Sequence, residues 1–213
     1  MEIIPVEAGI ILTNGYIFIG DSGKEGIIID SPMDGSPEML EIIQTKNLKI
    51  QAIFITHTHW DHTADVKKLH DALNVPVYCH AEDAYRMIAP MENSIFPLPF
   101  VLEPLFPDLC LTDNQNIPLG DLNIDVLHTP GHTEGGLCFV EHNHKVVFTG
   151  DTLFNGSIGR SDLPGGNSKS LMTSIKNKLL NLGDDYKVYC GHGQATTIGR
   201  ERLYNPFLND VFI

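Results

Sequence analysis

Six consecutive residues combine three imidazoles with one carboxylate: His57-Thr58-His59-Trp60-Asp61-His62. They directly follow residues 50–55, an apolar and β-branched run that predicts a buried strand. In extended backbone, residues two apart share a face, so His57 and His59 can bind one ion, whereas the turn into a following helix directs Asp61 and His62 elsewhere. A single structural zinc is the alternative, but such sites usually use cysteine, and this segment has none. The spacing therefore predicts a site for two metal ions.

Three further candidate ligands occur later in the chain: His132 in Thr129-Pro130-Gly131-His132-Thr133, Asp151 in Phe148-Thr149-Gly150-Asp151, and His192 in Cys190-Gly191-His192-Gly193. Each ends or follows a predicted strand, and the neighbouring glycines allow turns that let a side chain project into a cleft. A single histidine of this kind is more often structural than a ligand. Together with the first cluster, however, these residues predict one shared metal centre.

Taken in order along the chain, the residues from His57 to His192 resemble the metallo-β-lactamase superfamily, specifically the compact single-domain type of its glyoxalase II-like (hydroxyacylglutathione hydrolase-like) branch. The resemblance implies two sets of metal ligands that share a bridging aspartate: His57, His59 and His132 for the first metal, Asp61, His62 and His192 for the second, and Asp151 for both. It also implies two divalent metal ions, zinc above all, although imidazole and carboxylate ligands also suit iron and manganese.

The implied chemistry is hydrolysis by a hydroxide that bridges the two metals. Paired ions lower the pKa of a shared water and polarise the scissile carbonyl. Asp61, close to that water, is the predicted catalytic residue, which orients the water and moves its proton. The predicted small-molecule substrate is a thioester such as S-lactoylglutathione, because a thiolate leaves with little need for protonation.

Two alternative activities stay open. Persulfide dioxygenases look similar at His57, His132 and Asp151, yet they use one iron and oxygen. A lactonase would use the same metal site as a thioesterase. A β-lactam substrate is less expected, because the N-terminal segment lacks the basic and apolar residues of an export signal.

Residues 154–166 resemble the stretch after the bridging aspartate in single-domain thioesterases of this branch. Within it, Arg160 is a candidate substrate-binding residue that would bind a carboxylate or support a metal ligand, with an ordinary surface ion pair as the alternative. Full-length glyoxalase II has a further helical C-terminal domain that helps to bind glutathione, and only 21 residues follow His192 here. Recognition of glutathione is therefore not predicted by motif.

The elements that must position these residues alternate between strands and helices. Apolar runs predict strands at residues 15–19, 26–30, 50–55, 75–79, 122–127, 136–140, 145–149 and 187–190. Helical spacing and composition predict helices at residues 37–45, 63–73, 82–88 and 168–182, and a last helix after Thr197. The two halves look alike. The predicted fold class is α/β, and the resemblance implies one domain over residues 1–213 with the αββα sandwich of two mixed β-sheets and helices on the outer faces.

A proline-rich segment at residues 90–107 interrupts this alternation. It contains five prolines and several large apolar residues, including Phe96, Phe100 and Phe106, without clean periodicity. A long irregular connection in a compact domain is often functional, so a lid or substrate wall is one interpretation and packing over the core is the other.

Two further residues lie near the candidate ligands in the sequence. His128 ends a predicted strand four residues before His132, so it is a candidate to line the cleft. Trp60 points oppositely to its neighbours in the ligand run and is predicted to pack rather than to contact substrate.

Charge and cysteine usage limit the partners of this chain. It carries 14 basic and 27 acidic residues, a formal net charge of −13, and no run of Lys or Arg, so nucleic acid is an unexpected partner. The four cysteines, Cys79, Cys110, Cys138 and Cys190, are widely spaced and predict reduced thiols. No stretch approaches the ~20 apolar residues of a membrane span. We expect a cytoplasmic protein that binds neither nucleic acid nor membrane.

Overall fold

The computed structural model describes residues 1–94 and 97–209. Phe96, one of the apolar residues noted in the proline-rich segment, lies outside the described residues. Within the described ranges, no helix is both long and apolar enough to cross a membrane.

The first half of the chain forms a six-stranded sheet. Its strands, β1 to β6, are Glu2–Ala8, Thr13–Ile19, Glu25–Ile29, Lys49–Phe54, Val77–His80 and Leu109–Leu111, and they lie in this order across the sheet. β1, β2 and β3 pair antiparallel, whereas β3, β4, β5 and β6 pair parallel. In the parallel part, Ile29 pairs with Phe54, so β3 and β4 end side by side. Residues that follow these strands therefore emerge at the same edge.

The second half forms another six-stranded sheet. Its strands are β7 Asn116–Leu119, β8 Leu122–His128, β9 Leu137–Glu141, β10 Val146–Gly150, β13 Lys187–Cys190 and β14 Thr196–Thr197. β10 and β13 are parallel and end together at the Gly150–Cys190 pair. A small hairpin, β11 Leu153–Phe154 and β12 Ser157–Ile158, stands apart from both sheets.

In the described ranges, six α-helices accompany the sheets: α1 Ser36–Lys46, α2 Trp60–Thr63, α3 Val66–Leu73, α4 Ala84–Ile88, α5 Ser168–Asn177 and α6 Ile198–Tyr204. A 3-10 turn at Leu179–Asn181 follows α5. The predicted helix at residues 168–182 therefore ends earlier as an α-helix. The predicted helix at residues 63–73 is divided, because α2 begins at Trp60 and a turn separates it from α3.

Three apolar layers hold the sandwich together, and strand alternation creates them. On β2, Ile17 and Ile19 face α1, α3 and α4, whereas Tyr16 and Phe18 face the second sheet. On β9, Phe139 belongs to the layer between the sheets. Neighbouring residues of the second sheet pack on the other side against α5 and α6. Because successive side chains of a strand point to opposite faces, strands covered on both sides must be apolar throughout. The structure confirms the predicted α/β sandwich of two mixed sheets with helices outside.

Strands β1, β6 and β7 were not predicted from the sequence. β1 and β6 are the edge strands of the first sheet, and β7 is an edge strand of the second. β1 and β7 each contain a proline and several exposed residues, and β6 has only three residues. Edge strands are paired on one side only and tolerate proline, so their apolar signal is weak.

Candidate metal centre

The predicted ligands follow strand ends from both sheets. His57 comes after β4, and Asp61 and His62 lie on the short helix α2 that follows. Asp151 directly follows β10 and His192 follows β13. His132 lies in the loop between β8 and β9. The structure brings all of these side chains together.

Two glycines permit the close approach of these segments. Gly150, just before Asp151, has a φ of +47°, and a Cβ atom there would lie 2.4 Å from Thr56 Oγ1. Gly191, just before His192, faces the carboxylate itself, because a Cβ atom there would lie 2.2 Å from Asp151 Oδ1. A larger residue at either position would displace a loop that carries a candidate ligand.

The first donor set consists of the three imidazoles of His57, His59 and His132, all of them buried. Their ring centroids lie 4.6 to 4.8 Å from one another. Nδ1 of His59 is 2.9 Å from Nε2 of His132. One ligand atom from each ring lies within 4.8 Å of the other two, an arrangement that one metal ion can bridge.

The second donor set consists of Asp61, His62 and His192. Oδ2 of Asp61 lies 3.3 Å from Nε2 of His62 and 3.4 Å from Nε2 of His192. Asp151 lies between the two sets: its Oδ1 is 3.3 Å from His62 Nε2, and its Oδ2 is 3.5 Å from both His132 Nε2 and His192 Nε2. One carboxylate thus contacts donors of both sets.

Unpaired buried atoms test whether a metal fits here. In residues 1–94 and 97–209, five buried side-chain nitrogen or oxygen atoms have no hydrogen-bond partner: Ser31 Oγ, His57 Nε2, His59 Nε2, His62 Nε2 and Asp151 Oδ1. Four of the five belong to the donor sets. A buried polar atom without a partner costs about 1–3 kcal/mol, so their concentration in one cluster calls for a ligand. Imidazole and carboxylate donors at this spacing fit divalent transition metals.

Contacts behind the ligands fix which ring nitrogen faces the centre. Nδ1 of His62 donates to the Asp30 carboxylate at 2.7 Å, and Nδ1 of His132 donates to the Arg160 carbonyl at 2.7 Å. Nδ1 of His192 contacts the Leu12 carbonyl at 3.2 Å. In each case Nε2 is left for the centre, which is how partners of metal-binding histidines usually set the tautomer.

Burial controls protonation in the first set. Burial lowers the pKa of His57 to well below its ordinary value, and the neighbouring His62 and His132 lower it further. Burial likewise lowers the pKa of His59 to about 3, and His132 adds to this shift. Both rings are therefore neutral at pH 7, with lone pairs free to bind a cation.

Carboxylates control protonation in the second set. Burial would lower the pKa of His62, but Asp61, Asp151 and Asp30 together raise it well above its ordinary value. For His192, burial is again outweighed by hydrogen bonds to Asp151 and Asp61, which raise its pKa to about 10. In return, despite burial, His62 and His192 hold the pKa values of Asp61 and Asp151 low. The carboxylates of the second set therefore stabilise positive charge on these two rings.

A cleft of about 200 Å³ opens over the centre. Its lining combines candidate ligands with apolar and basic residues: Ile11, His59, Trp60, Asp61, His132, Asp151, Arg160, Leu163 and His192. Trp60 lines this cleft and also packs on Phe100 at a ring distance of 5.4 Å. The proline-rich segment packs over the core through Leu102 and Leu105, and through Phe100 it supports one wall of the cleft.

Two other sequence candidates have defined positions. The guanidinium of Arg160 donates two 2.8 Å hydrogen bonds to Asp162 on the surface, while the Arg160 carbonyl orients His132. His128 does not line the cleft; its ring stacks on His80 at 4.0 Å, and its Nε2 contacts the Glu134 carbonyl.

Sequence reasoning missed two residues that support the second donor set. Asp30, which holds His62, also accepts hydrogen bonds from Thr56 N and Oγ1 at 2.8 and 2.7 Å. The hydroxyl of Thr13 donates to Asp61 Oδ2 at 2.8 Å. Asp30 ends an apolar strand just as Asp151 does, and that shared pattern was the available signal. Thr13 carries no comparable signal.

The chain is similar to a known protein family and to several known proteins. The profile of the Metallo-beta-lactamase superfamily matches residues 11–192. The hydroxyacylglutathione hydrolase GloC of Haemophilus influenzae is 37% identical over 212 residues, covering 98% of each chain. The solved structure of the BLEG-1 B3 metallo-beta-lactamase is 34% identical, with a TM-score of 0.90 over 97% of this chain and 99% of that one. The structure of TTHA1623 in a di-iron-bound form is 37% identical, with a TM-score of 0.82 over 96% and 100%.

Proposed function

The chain belongs to the Metallo-beta-lactamase superfamily as one of its metallo-hydrolases, and from that premise we propose that it hydrolyses thioesters, with S-lactoylglutathione as the first substrate to test. The observation that carries the proposal is the paired donor set, two groups of three side chains that meet at Asp151. The activity for which the Haemophilus influenzae relative is named supports the same substrate class.

The two donor sets would hold two divalent ions. One ion would be held by His57, His59 and His132, the other by Asp61, His62 and His192, with Asp151 shared between them. Zinc, iron and manganese all suit these donors, and the TTHA1623 structure contains two irons. When bound, the ions supply a water nucleophile of lowered pKa and polarise the substrate carbonyl.

Asp61 is the residue that we assign to hold and deprotonate the attacking water. Its carboxylate lines the cleft, and the Thr13 hydroxyl fixes one of its oxygens. Although burial opposes ionisation, His62 and His192 keep the pKa of Asp61 low, so the carboxylate accepts hydrogen bonds at neutral pH. An anion fixed in this way orients the water toward a carbonyl in the cleft.

The cleft lining favours a leaving group that needs no proton. Among the described residues that line it, the groups able to exchange a proton near pH 7 are all candidate metal ligands; the others are Ile11, Trp60, Arg160 and Leu163. Arginine stays protonated and is a poor proton donor. A thiol has a pKa of about 8.5, so a thiolate leaves readily, whereas an amide nitrogen needs protonation as it leaves.

A β-lactam is the second candidate substrate, because the 34% identical BLEG-1 structure is that of a metallo-beta-lactamase. Its scissile bond is an amide, which the cleft lining supports less well. A lactone stays a rival on the same metal site. A persulfide dioxygenase needs one iron per chain, whereas the two donor sets would hold two ions, so metal content separates the two activities.

One panel on one sample tests these alternatives. Purified protein is assayed with S-lactoylglutathione, a homoserine lactone, a chromogenic cephalosporin and glutathione persulfide under oxygen, and metal content is measured on the same preparation. We expect release of free thiol from the thioester as the fastest reaction, with about two metal ions per chain. Sulfite production with one iron per chain would overturn the hydrolase assignment. Faster turnover of the lactone or the cephalosporin would overturn the thioester assignment alone.

A further inference from the structure

Asp83 is a fully buried carboxylate that is not a candidate metal ligand. It lies directly before α4 and reaches the backs of two ligand loops. We propose that Asp83 is a positioning residue that holds the three histidines of the first donor set in register. The inference rests on the metal-binding part of the proposed function and is independent of the substrate.

Both loops of the first set are bound by the same oxygen atom. Oδ2 of Asp83 accepts a hydrogen bond from the Thr58 backbone N–H at 3.1 Å and one from the Thr133 hydroxyl at 2.8 Å. Thr58 lies between His57 and His59, and Thr133 directly follows His132. This single atom therefore fixes the distance between the pair of histidines after β4 and the histidine of the β8–β9 loop.

Each loop also makes a second hydrogen bond to Asp83, which fixes the orientation of the loop. The Thr58 hydroxyl donates to the Asp83 carbonyl at 2.7 Å, so the residue between two ligands is held at both its backbone and its side chain. Asp83 Oδ1 accepts from the Gly135 N–H at 2.7 Å. A Cβ atom at Gly135 would lie 2.8 Å from Asp83, so the β8–β9 loop packs directly against it.

A buried guanidinium balances the charge of this carboxylate. Arg86, itself 5% exposed, donates to Asp83 Oδ1 at 3.1 Å and to Glu134 at 2.6 Å. It also donates to the Pro164 carbonyl at 3.3 Å. Pro164 belongs to the same connection as Arg160, whose carbonyl orients His132. Arg86 therefore links Asp83 to the connection whose Arg160 carbonyl orients His132.

The second donor set depends on different contacts. Asp61 is bound by Thr13, His62 by Asp30, and His192 by the Leu12 carbonyl. None of these contacts involves Asp83. Loss of the Asp83 hydrogen bonds should therefore weaken metal binding at the first set much more than at the second. A general loss of stability would not produce this selectivity.

The test measures two metal affinities rather than activity. Full-length zinc-loaded protein is equilibrated against graded chelator, and the zinc retained per chain is measured. His132→Ala and His192→Ala identify which release step belongs to which donor set. We expect Asp83→Asn to weaken zinc binding at the first donor set, the step assigned by His132→Ala, by roughly 10- to 100-fold, as for partners of metal ligands elsewhere. Zinc binding at the second donor set, assigned by His192→Ala, should stay within about twofold of the wild type.

Asp65→Asn is the matched control. Asp65 is equally buried, but its carboxylate is bound by Ser36 N and Oγ at 3.1 and 2.7 Å and by Lys68 at 2.6 Å rather than by a ligand loop. It should lower the melting temperature without changing either metal affinity. If Asp83→Asn does not fold, Thr133→Val removes one bond to the same oxygen and should weaken the same step to a smaller extent.

The possible failures are distinguishable. If the Asp83 and Thr133 variants bind both ions as the wild type does, or weaken both steps equally, the positioning role is overturned while the proposed function stands. If the wild type binds no metal ion, both proposals are overturned.

Discussion

The two donor sets of the centre differ in charge, burial and support. The first set has three buried imidazoles and no carboxylate of its own, whereas the second contains Asp61, and its His192 side chain is 28% exposed. Burial lowers the pKa values of His57 and His59 in the first set, and carboxylates raise those of His62 and His192 in the second. One fold thus places the neutral rings of His57 and His59 on one side of Asp151, and charged groups with the partly exposed His192 on the other.

The largest expected effect comes from removing the one side chain that both sets share. Asp151→Asn should weaken both ions by more than about 100-fold, beyond the roughly 10- to 100-fold effect of losing a partner behind a ligand, and thioester hydrolysis should fall in parallel. Metal content after dialysis and kcat on the thioester measure the two losses. Asp71→Asn, at an exposed aspartate paired with Lys67 on α3, is the control and should change neither. Loss of only one ion would contradict the shared role of Asp151.

A smaller, selective effect is expected from Asp30→Asn. The variant removes the carboxylate that directly holds Nδ1 of His62 at 2.7 Å and that reaches His57 of the first set only through Thr56, so binding of the second ion should weaken by roughly 10- to 100-fold and binding of the first ion by less. The same chelator titration measures it, and Asp65→Asn again controls for loss of a buried carboxylate. Equal weakening of both ions would show that the two sets are not supported separately.

Thr13→Val tests the role assigned to Asp61 without removing a ligand. The variant deletes the 2.8 Å hydrogen bond to Asp61 Oδ2. A hydrogen bond to a charged group is worth about 1.5–3 kcal/mol, so kcat should fall by at least about tenfold when both ions are kept bound by saturating metal. Steady-state kinetics on metal-saturated protein measure it. An unchanged kcat would contradict the need for a fixed Asp61 oxygen.

The smallest expected effect is a difference in proton release. At pH 7 the raised pKa values of His62 and His192 keep both rings protonated in metal-free protein, whereas the lowered pKa values of His57 and His59 leave those rings neutral. Binding of a metal ion to the second set should therefore release about two protons, from His62 and His192. Binding to the first set should release about none from His57 and His59. Calorimetric titration in buffers of different ionisation enthalpy measures the number, with His132→Ala and His192→Ala isolating each step. Equal proton release on metal binding to either set would contradict this difference in protonation between the two sets.

Many of the strands and candidate ligands can be predicted from the sequence because the patterns that indicate them are local. Strands such as β2, β4 and β10 are covered on both faces, so their apolar runs are visible in the sequence alone. The candidate ligands stand out because ionisable residues directly after buried strands need compensation. The weak apolar signal of β1 and β7 reflects positions at sheet edges, which the sequence does not reveal.

The sequence by itself thus determined the layered α/β architecture and the residue types gathered at the ends of its strands. Only the tertiary structure decided how those residues are held. Asp83 reaches Thr58 and Thr133, which lie 25 and 50 positions away, and Asp30 reaches His62 across 32 positions. Such contacts depend on which strands are neighbours and where they end. No local pattern of charge or hydrophobicity encodes that register, because it arises only when the two sheets pack.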